Sequence, residues 1–302
     1  MIKTPVAFII FKRPDTTEKV FEVIRQVKPP KLLVIADGAR ADIPGELEKC
    51  KATRAIVDRV DWECEVLKNY SDINLGCRLR PATGINWVFE QVEQAIFLED
   101  DCVPDPSFFQ YCEKLLEKYK EDPRIMTICG TNVQGEWKSD IQSYHFSYYG
   151  KGWGWASWRR AWRHYDVDMK IWSHPEIKNA IQSVVSDKKQ YSSLEKIFNK
   201  TYSGEIITAW DYQWLFCRLH QSGMAIIPSR NLVENIGNGA DATHTNDVAS
   251  IPIFPMSFPL TEPSHVTVDR DFDNLVYKSG FSKPSLLKRL MKKINQLLTI
   301  SI

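Results

Sequence analysis

Over its first hundred residues the chain alternates short apolar runs with stretches of helical periodicity, the pattern that most narrows what it can fold into. Val6 to Phe11 reads as a first strand. Lys12-Arg13-Pro14-Asp15 follows, and then Val20, Phe21, Val23, Ile24 and Val27 at helical spacing. Pro29 and Pro30 stop that helix, because proline has no amide hydrogen and clashes with the preceding turn. Lys31 to Ala36 predicts a second strand ending at Asp37-Gly38, and the segment from Trp62 to Asn69 a third. Gly84 to Glu93 predicts a helix through Ile85, Val88, Phe89 and Val92. Strands that alternate with crossover helices predict an α/β fold on a mostly parallel sheet flanked by helices.

That helix leads into the run Ala95-Ile96-Phe97-Leu98, which ends abruptly in Glu99-Asp100-Asp101 and is followed by Cys102-Val103-Pro104. Short apolar runs bounded by turn signals read as buried strands, and in open α/β sheets ligands collect outside the carboxyl ends of such strands. Three acids there point to a divalent cation. Carboxylate oxygens suit Mg²⁺ or Mn²⁺, which bridge one or two acids to the phosphates of a substrate. A solvated acidic turn after a core strand accounts for the same residues. Beyond it, Asp105-Pro106 predicts a helix cap, with Phe108, Phe109, Cys112, Leu115, Leu116 and Tyr119 on the buried face.

Composition removes several function classes. Lysine plus arginine (39) nearly balance aspartate plus glutamate (38), so nothing global argues for nucleic acid as a partner. The seven cysteines are dispersed and contain no Cys-x-x-Cys pair, which predicts reduced thiols in a cytosolic setting. Val6 to Phe11 is too short for a signal peptide or a membrane span.

From about residue 130 the character changes. Gly150-Lys151-Gly152-Trp153-Gly154-Trp155-Ala156-Ser157-Trp158 interleaves glycine with tryptophan, and Trp162 and Trp172 follow. Flat apolar rings suit sugar stacking, although most tryptophans belong to cores, so one or two of these are expected to touch substrate. In Thr208-Ala209-Trp210-Asp211-Tyr212-Gln213-Trp214 a single acid stands among aromatics. Asp211 there suits a general base toward a substrate hydroxyl, or equally the cap of the helix that starts at this point. The glycine-rich stretch Asn235 to Thr245 carries His244, a residue type that ligates metal through neutral imidazole or binds a phosphate oxygen.

Taken together and in this order, these residues resemble the GT-A nucleotide-sugar glycosyltransferases, in particular the branch similar to N-acetylglucosaminyltransferase I, whose bacterial relatives sometimes carry haemolysin-like labels. The resemblance covers roughly residues 4 to 245. It rests on the first strand entering the basic loop Lys12-Arg13-Pro14, the strand ending in Asp37, the acidic triplet, and Trp210-Asp211. It implies a Rossmann-like nucleotide-diphospho-sugar domain over 1–250, with a nucleotide-binding half (1–130) and an aromatic-rich acceptor half (131–250), then a C-terminal extension (251–302). It implies that Asp101 contacts the metal, Mn²⁺ or Mg²⁺; His244 is a candidate further ligand by its own chemistry, since family members differ there. Glu99 and Asp100 would hold ribose and the site, Asp37 would face the nucleobase, and Arg13 would lie among the donor-binding residues. Arg78 or Arg80, in Asn74-Leu75-Gly76-Cys77-Arg78-Leu79-Arg80, would meet the diphosphate. Asp211 would be the base of an inverting transfer from a UDP-sugar to a glycan or lipid-linked acceptor. The chain departs from the family pattern after Asp211, where Tyr212 stands in place of a frequent second acid.

The tail from Lys283 to Leu298 has five basic residues, no acids, and apolar positions at helical spacing. Such a helix either lies on an anionic membrane from the cytoplasmic side or docks on protein. Two other functions are compatible with parts of the sequence. A sugar-nucleotide pyrophosphorylase would need a glycine-rich loop after the first strand, which Lys12-Arg13-Pro14 does not resemble. A membrane-active or carbohydrate-binding protein would leave the acidic triplet without a purpose.

Overall fold

The computed structural model describes residues 2–206, 209–237 and 250–281. The first half carries β1 (Val6–Ile10), α1 (Pro14–Val27), β2 (Lys31–Ala36), α2 (Glu46–Val57), β3 (Glu65–Tyr70), α3 (Gly76–Gln91), β4 (Gln94–Glu99), β5 (Cys102–Pro104) and α4 (Ser107–Lys118). The second carries β6 (Ile125–Cys129), β7 (Tyr144–Ser147), β8 (Trp155–Trp158), α5 (Arg159–Trp162), α6 (Pro175–Val185), α7 (Lys188–Tyr202), α8 (Asp211–His220), β9 (Met224–Pro228), β10 (Val233–Asn235) and α9 (Arg270–Val276).

Among the described residues, eight strands form one sheet in the order β3-β2-β1-β4-β8-β6-β9-β7. β3, β2, β1 and β4 are mutually parallel, as are β6 and β9. β8 lies antiparallel between β4 and β6, and β7 pairs antiparallel with β9. The fold is therefore α/β with a mostly parallel sheet flanked by helices. β5 and β10 make a separate antiparallel ribbon.

Successive residues of a strand face opposite sides of the sheet, and β1 shows where the two cores lie. Val6, Phe8 and Ile10 join Phe21 and Ile24 of α1 and Phe108 and Leu115 of α4 on one side. Ala7 and Ile9 join Ile85, Val88 and Phe89 of α3, with Trp155 and Trp162, on the other. Covering both faces is why β1, β2 and β4 read as unbroken apolar runs rather than alternating ones.

Two expected elements shift. The third strand runs Glu65–Tyr70, and Trp62 lies before it, donating Nε1 to the Pro29 carbonyl at 2.9 Å. The helix expected from Gly84 begins at Gly76, so Pro81, Arg78 and Arg80 lie inside it. Pro81 reads locally as a breaker, yet α3 is held through that turn by packing on β2. A Cβ at Gly84 would stand 2.5 Å from the Ile35 side chain, so this glycine is what lets helix and strand approach so closely. Residues 250–281, expected as an extension, lie against the sheet. Phe254 donates its amide to the Asn231 carbonyl, Val268 bridges Phe146, and Phe272 and Val276 of α9 enter the core.

Candidate functional site

The chain leaves β1 for β2 and β3 on one side and later returns to place β4 on the other, so the order switches between β1 and β4. A crevice outside the carboxyl ends of the strands is expected at such a switch. Glu99 lies there, paired in register with Ile9, and Asp100 and Asp101 follow it. The carboxyl end of β1 supplies the complementary charge. Asp100, buried, accepts from the Phe11 amide at 3.1 Å and from Arg13 Nη2. The same Arg13 nitrogen donates to Asp101 Oδ2 at 2.9 Å. Glu99 Oε1 accepts from Trp210 Nε1 at 3.3 Å, which brings the residue before Asp211 onto the triplet.

The ribbon of β5 and β10 forms the opposite wall. The Ile236 amide donates to the Asp101 carbonyl at 2.8 Å. Gly237 then crosses directly over the cluster: a Cβ there would stand 2.1 Å from Asp101 Oδ2 and 3.0 Å from Arg13 Nη1. Any side chain there would have to push the Asp101 carboxylate and the Arg13 guanidinium aside.

Charge is unbalanced at this point. Packing around its carboxyl, then Asp101, Asp100 and Asp211, push the Glu99 carboxyl up to about 8, although part of the side chain still reaches solvent. Burial also raises Asp100, to about 6, against the pull of Arg13. Burial disfavours the Arg13 charge, but Asp100 and Asp101 outweigh it and hold the guanidinium above its ordinary value. A cluster that keeps a proton near neutrality for want of positive charge, and offers only oxygen donors, fits a hard cation in donor type and charge. The shell is not preformed: among the described residues no three His, Cys, Asp or Glu side chains converge on a common point. The base candidate Asp211, first residue of α8, directly follows Trp210, whose indole bonds Glu99, and its charge adds to those that raise the Glu99 carboxyl.

Other expected contacts resolve differently. Asp37 is buried, and its oxygens accept from the amides of Gly38, Leu75 and Gly76 at 2.9 Å each and from Asn74 Nδ2 at 3.1 Å. These bonds anchor the entry to α3. Arg80 is buried and donates to the Ala36 carbonyl at 3.1 Å and to Asn69 Oδ1 at 2.6 Å, tying α3 to the ends of β2 and β3. Arg78 donates to the Val167 carbonyl at 2.9 Å and to Asp168 at 3.0 Å. One or the other was expected on the diphosphate; both lie inside α3 with these partners, and Arg13 is the arginine that meets the triplet. Lys12 turns away to Glu46 at 2.9 Å.

The tryptophans form a floor more than a binding face. Trp155, Trp162, Trp210 and Trp214 are buried, with Trp155 stacked on Phe97 at 4.3 Å and Trp162 on Tyr165 at 4.1 Å. Within the glycine-tryptophan segment Trp153 alone stays partly exposed. His244 and the basic tail 283–302 lie outside the described residues. No helix among the described residues is long and apolar enough to cross a membrane.

Three contacts escaped the sequence: Arg13 to both aspartates, Trp210 to Glu99, and Gly237 above Asp101. A usable signal existed for the first. A basic loop after β1 and an acidic triplet after β4 become neighbours once the strand order places β1 beside β4.

No family model matches the chain, and no curated protein sequence matches it. Among solved structures, a UDP-glucose pyrophosphorylase complexed with UDP-glucose is similar over 48% of this chain and 63% of its own, at 9% identity and a TM-score of 0.28. A 4-diphosphocytidyl-2C-methyl-D-erythritol synthase from Anaerococcus prevotii is similar over 52% of this chain and 72% of its own, at 11% identity and a TM-score of 0.32. The apo form of mouse xyloside xylosyltransferase 1 is similar over 72% of this chain and 81% of its own, at 10% identity and a TM-score of 0.34.

Proposed function

We propose that the protein is a metal-dependent glycosyltransferase that moves a sugar from a nucleoside diphosphate donor, a UDP-sugar in the first instance, to a hydroxyl of a glycan or lipid-linked acceptor. One observation supports this proposal: the carboxylate cluster at the end of β4, at the strand switch, shares a single guanidinium and is bonded through Glu99 to Trp210, the residue before Asp211. Asp101 and its neighbours would hold the cation, and His244, outside the described residues, is a further candidate ligand. The divalent ion, Mn²⁺ or Mg²⁺, supplies Lewis-acid stabilisation of the charge that grows on the departing diphosphate.

Asp211 receives the proton of the acceptor hydroxyl as its oxygen bonds to the anomeric carbon. The carbon–oxygen bond to the diphosphate breaks on the opposite face, so configuration inverts and no sugar is held covalently by the enzyme. Trp210 sets the height of this base, since its indole is pinned to Glu99 and to the aromatic floor. Asp37 and Arg80 act at one remove by fixing the start of α3.

Nucleotidyl transfer, as in a pyrophosphorylase, is the competing enzyme chemistry. The connection from β1 to α1 weighs against it, being only Phe11-Lys12-Arg13 and containing no glycine. Release of UDP from UDP-sugars with Mn²⁺ and a panel of acceptors separates the two. Asp211→Asn is expected to lower turnover about 10²- to 10⁴-fold with UDP binding retained. Unchanged turnover in that variant removes Asp211 as the base, and release of UTP on adding pyrophosphate favours the pyrophosphorylase.

A further inference from the structure

Arg13 has a fixed backbone and a long reach. Its carbonyl accepts from the Thr17 amide at 3.0 Å and from Thr17 Oγ1 at 2.7 Å, and Pro14 begins α1 directly after it. From this fixed backbone a long side chain, still partly exposed, crosses to β4, where the single nitrogen Nη2 is shared by Asp100 and Asp101. Those oxygens include the ones that a divalent ion at Asp101 would use. Charge-assisted bonds to two mostly buried carboxylates are strong enough to compete with other cations.

Resting on the function proposed above, we propose that Arg13 is the resident counter-cation of the cluster and competes with the divalent ion for Asp101. The protein then takes up the ion weakly by itself. It takes it up strongly only with a nucleoside diphosphate, whose phosphates offer the displaced guanidinium a new partner. Two cations contending for one carboxylate are linked reciprocally, and such couplings typically span about 5- to 150-fold in affinity.

The test is calorimetric titration of Mn²⁺ alone, without nucleotide, into the wild-type chain, Arg13→Gln and Arg13→Lys, with circular dichroism to verify folding. Arg13→Gln is expected to bind Mn²⁺ at least about tenfold more tightly than wild type. Arg13→Lys is expected to fall between them, since a lysine ammonium lacks the guanidinium fork. Adding UDP is expected to raise Mn²⁺ affinity more in wild type than in Arg13→Gln. Variants that bind Mn²⁺ no better than wild type overturn the competition. Should Arg13→Gln fail to fold, Arg13→Lys decides by the same criterion. A wild-type chain that takes up none of UDP, GDP or CDP with Mn²⁺, while the variants gain the ion, supports the competition and overturns the glycosyltransferase function instead.

Discussion

Asp100 and Asp101 share one guanidinium at the end of β4, while Glu99 beside them feels their charge and that of Asp211. Glu99, with only an indole N–H as its recorded donor, is pushed furthest from the usual carboxylate range. Asp100 is held back by Arg13 and by the Phe11 amide. Gly237 is the residue on which this balance depends without taking part in it. The atoms that a new Cβ would meet there are the free ends of side chains, which yield. The cost of Gly237→Ala therefore falls on the site: affinity for UDP with Mn²⁺ is expected to drop about tenfold or more, while the unfolding free energy changes by less than about 1 kcal/mol. Calorimetry and urea denaturation measure the two separately. Unaltered affinity would mean that the cation and diphosphate do not bind beside Asp101.

At the scale of elements, the junction of β2, β3 and α3 is held by Asp37, directly after β2, and Arg80, inside α3. Asp37→Ala removes the acceptor for the Leu75 and Gly76 amides at the start of α3. It is expected to cost about 1–3 kcal/mol of stability in urea unfolding. A variant of unchanged stability that loses nucleotide affinity would instead restore Asp37 to the base contact that the family resemblance implies. β1, α1, β2 and β4 were legible because unbroken apolar runs and helical periodicity are local signals. The acidic triplet was legible for the same reason, as an interruption of such a run. In the second half the helix starting at Asp211 was legible too, but the strands were not. β8 inserts between β4 and β6 by antiparallel pairing that only tertiary contact specifies, and Trp155 to Trp158 reads locally as an aromatic segment rather than as a strand. The extent of α3 was masked by Pro81, whose local preference is overridden by packing on Ile35 and the rest of β2. Arg13 and Asp101 are 88 residues apart, so their contact follows from strand order and not from any motif.

At the scale of the whole molecule, α9 closes over β7 through His145, a buried histidine with no hydrogen-bond partner on either ring nitrogen among the described residues. Its ring packs on Phe272 at 4.3 Å. Burial, against the pull of nearby Asp269, lowers it to about 4 from the ordinary 6.5. A folded value below the unfolded one means stability present above pH 6.5 and lost as pH falls toward 4. Asp273 on α9, raised by burial to about 6, acts in the opposite sense over an overlapping range, so His145 is isolated by comparing variant with wild type at each pH. His145→Phe is expected to remove a loss of about 3 kcal/mol between those limits, a large share of the few kcal/mol by which domains are stable. Parallel stability curves for the two chains would rule it out. The proposed function requires a cation and a nucleoside diphosphate to bind at the switch between β1 and β4. Calorimetric titration of UDP into the wild-type chain and Asp101→Ala, with and without Mn²⁺, tests that claim most directly. The account predicts binding that requires the ion and disappears in the variant. Ion-independent binding that survives Asp101→Ala, or no binding of UDP, GDP or CDP to the wild-type chain, would contradict it.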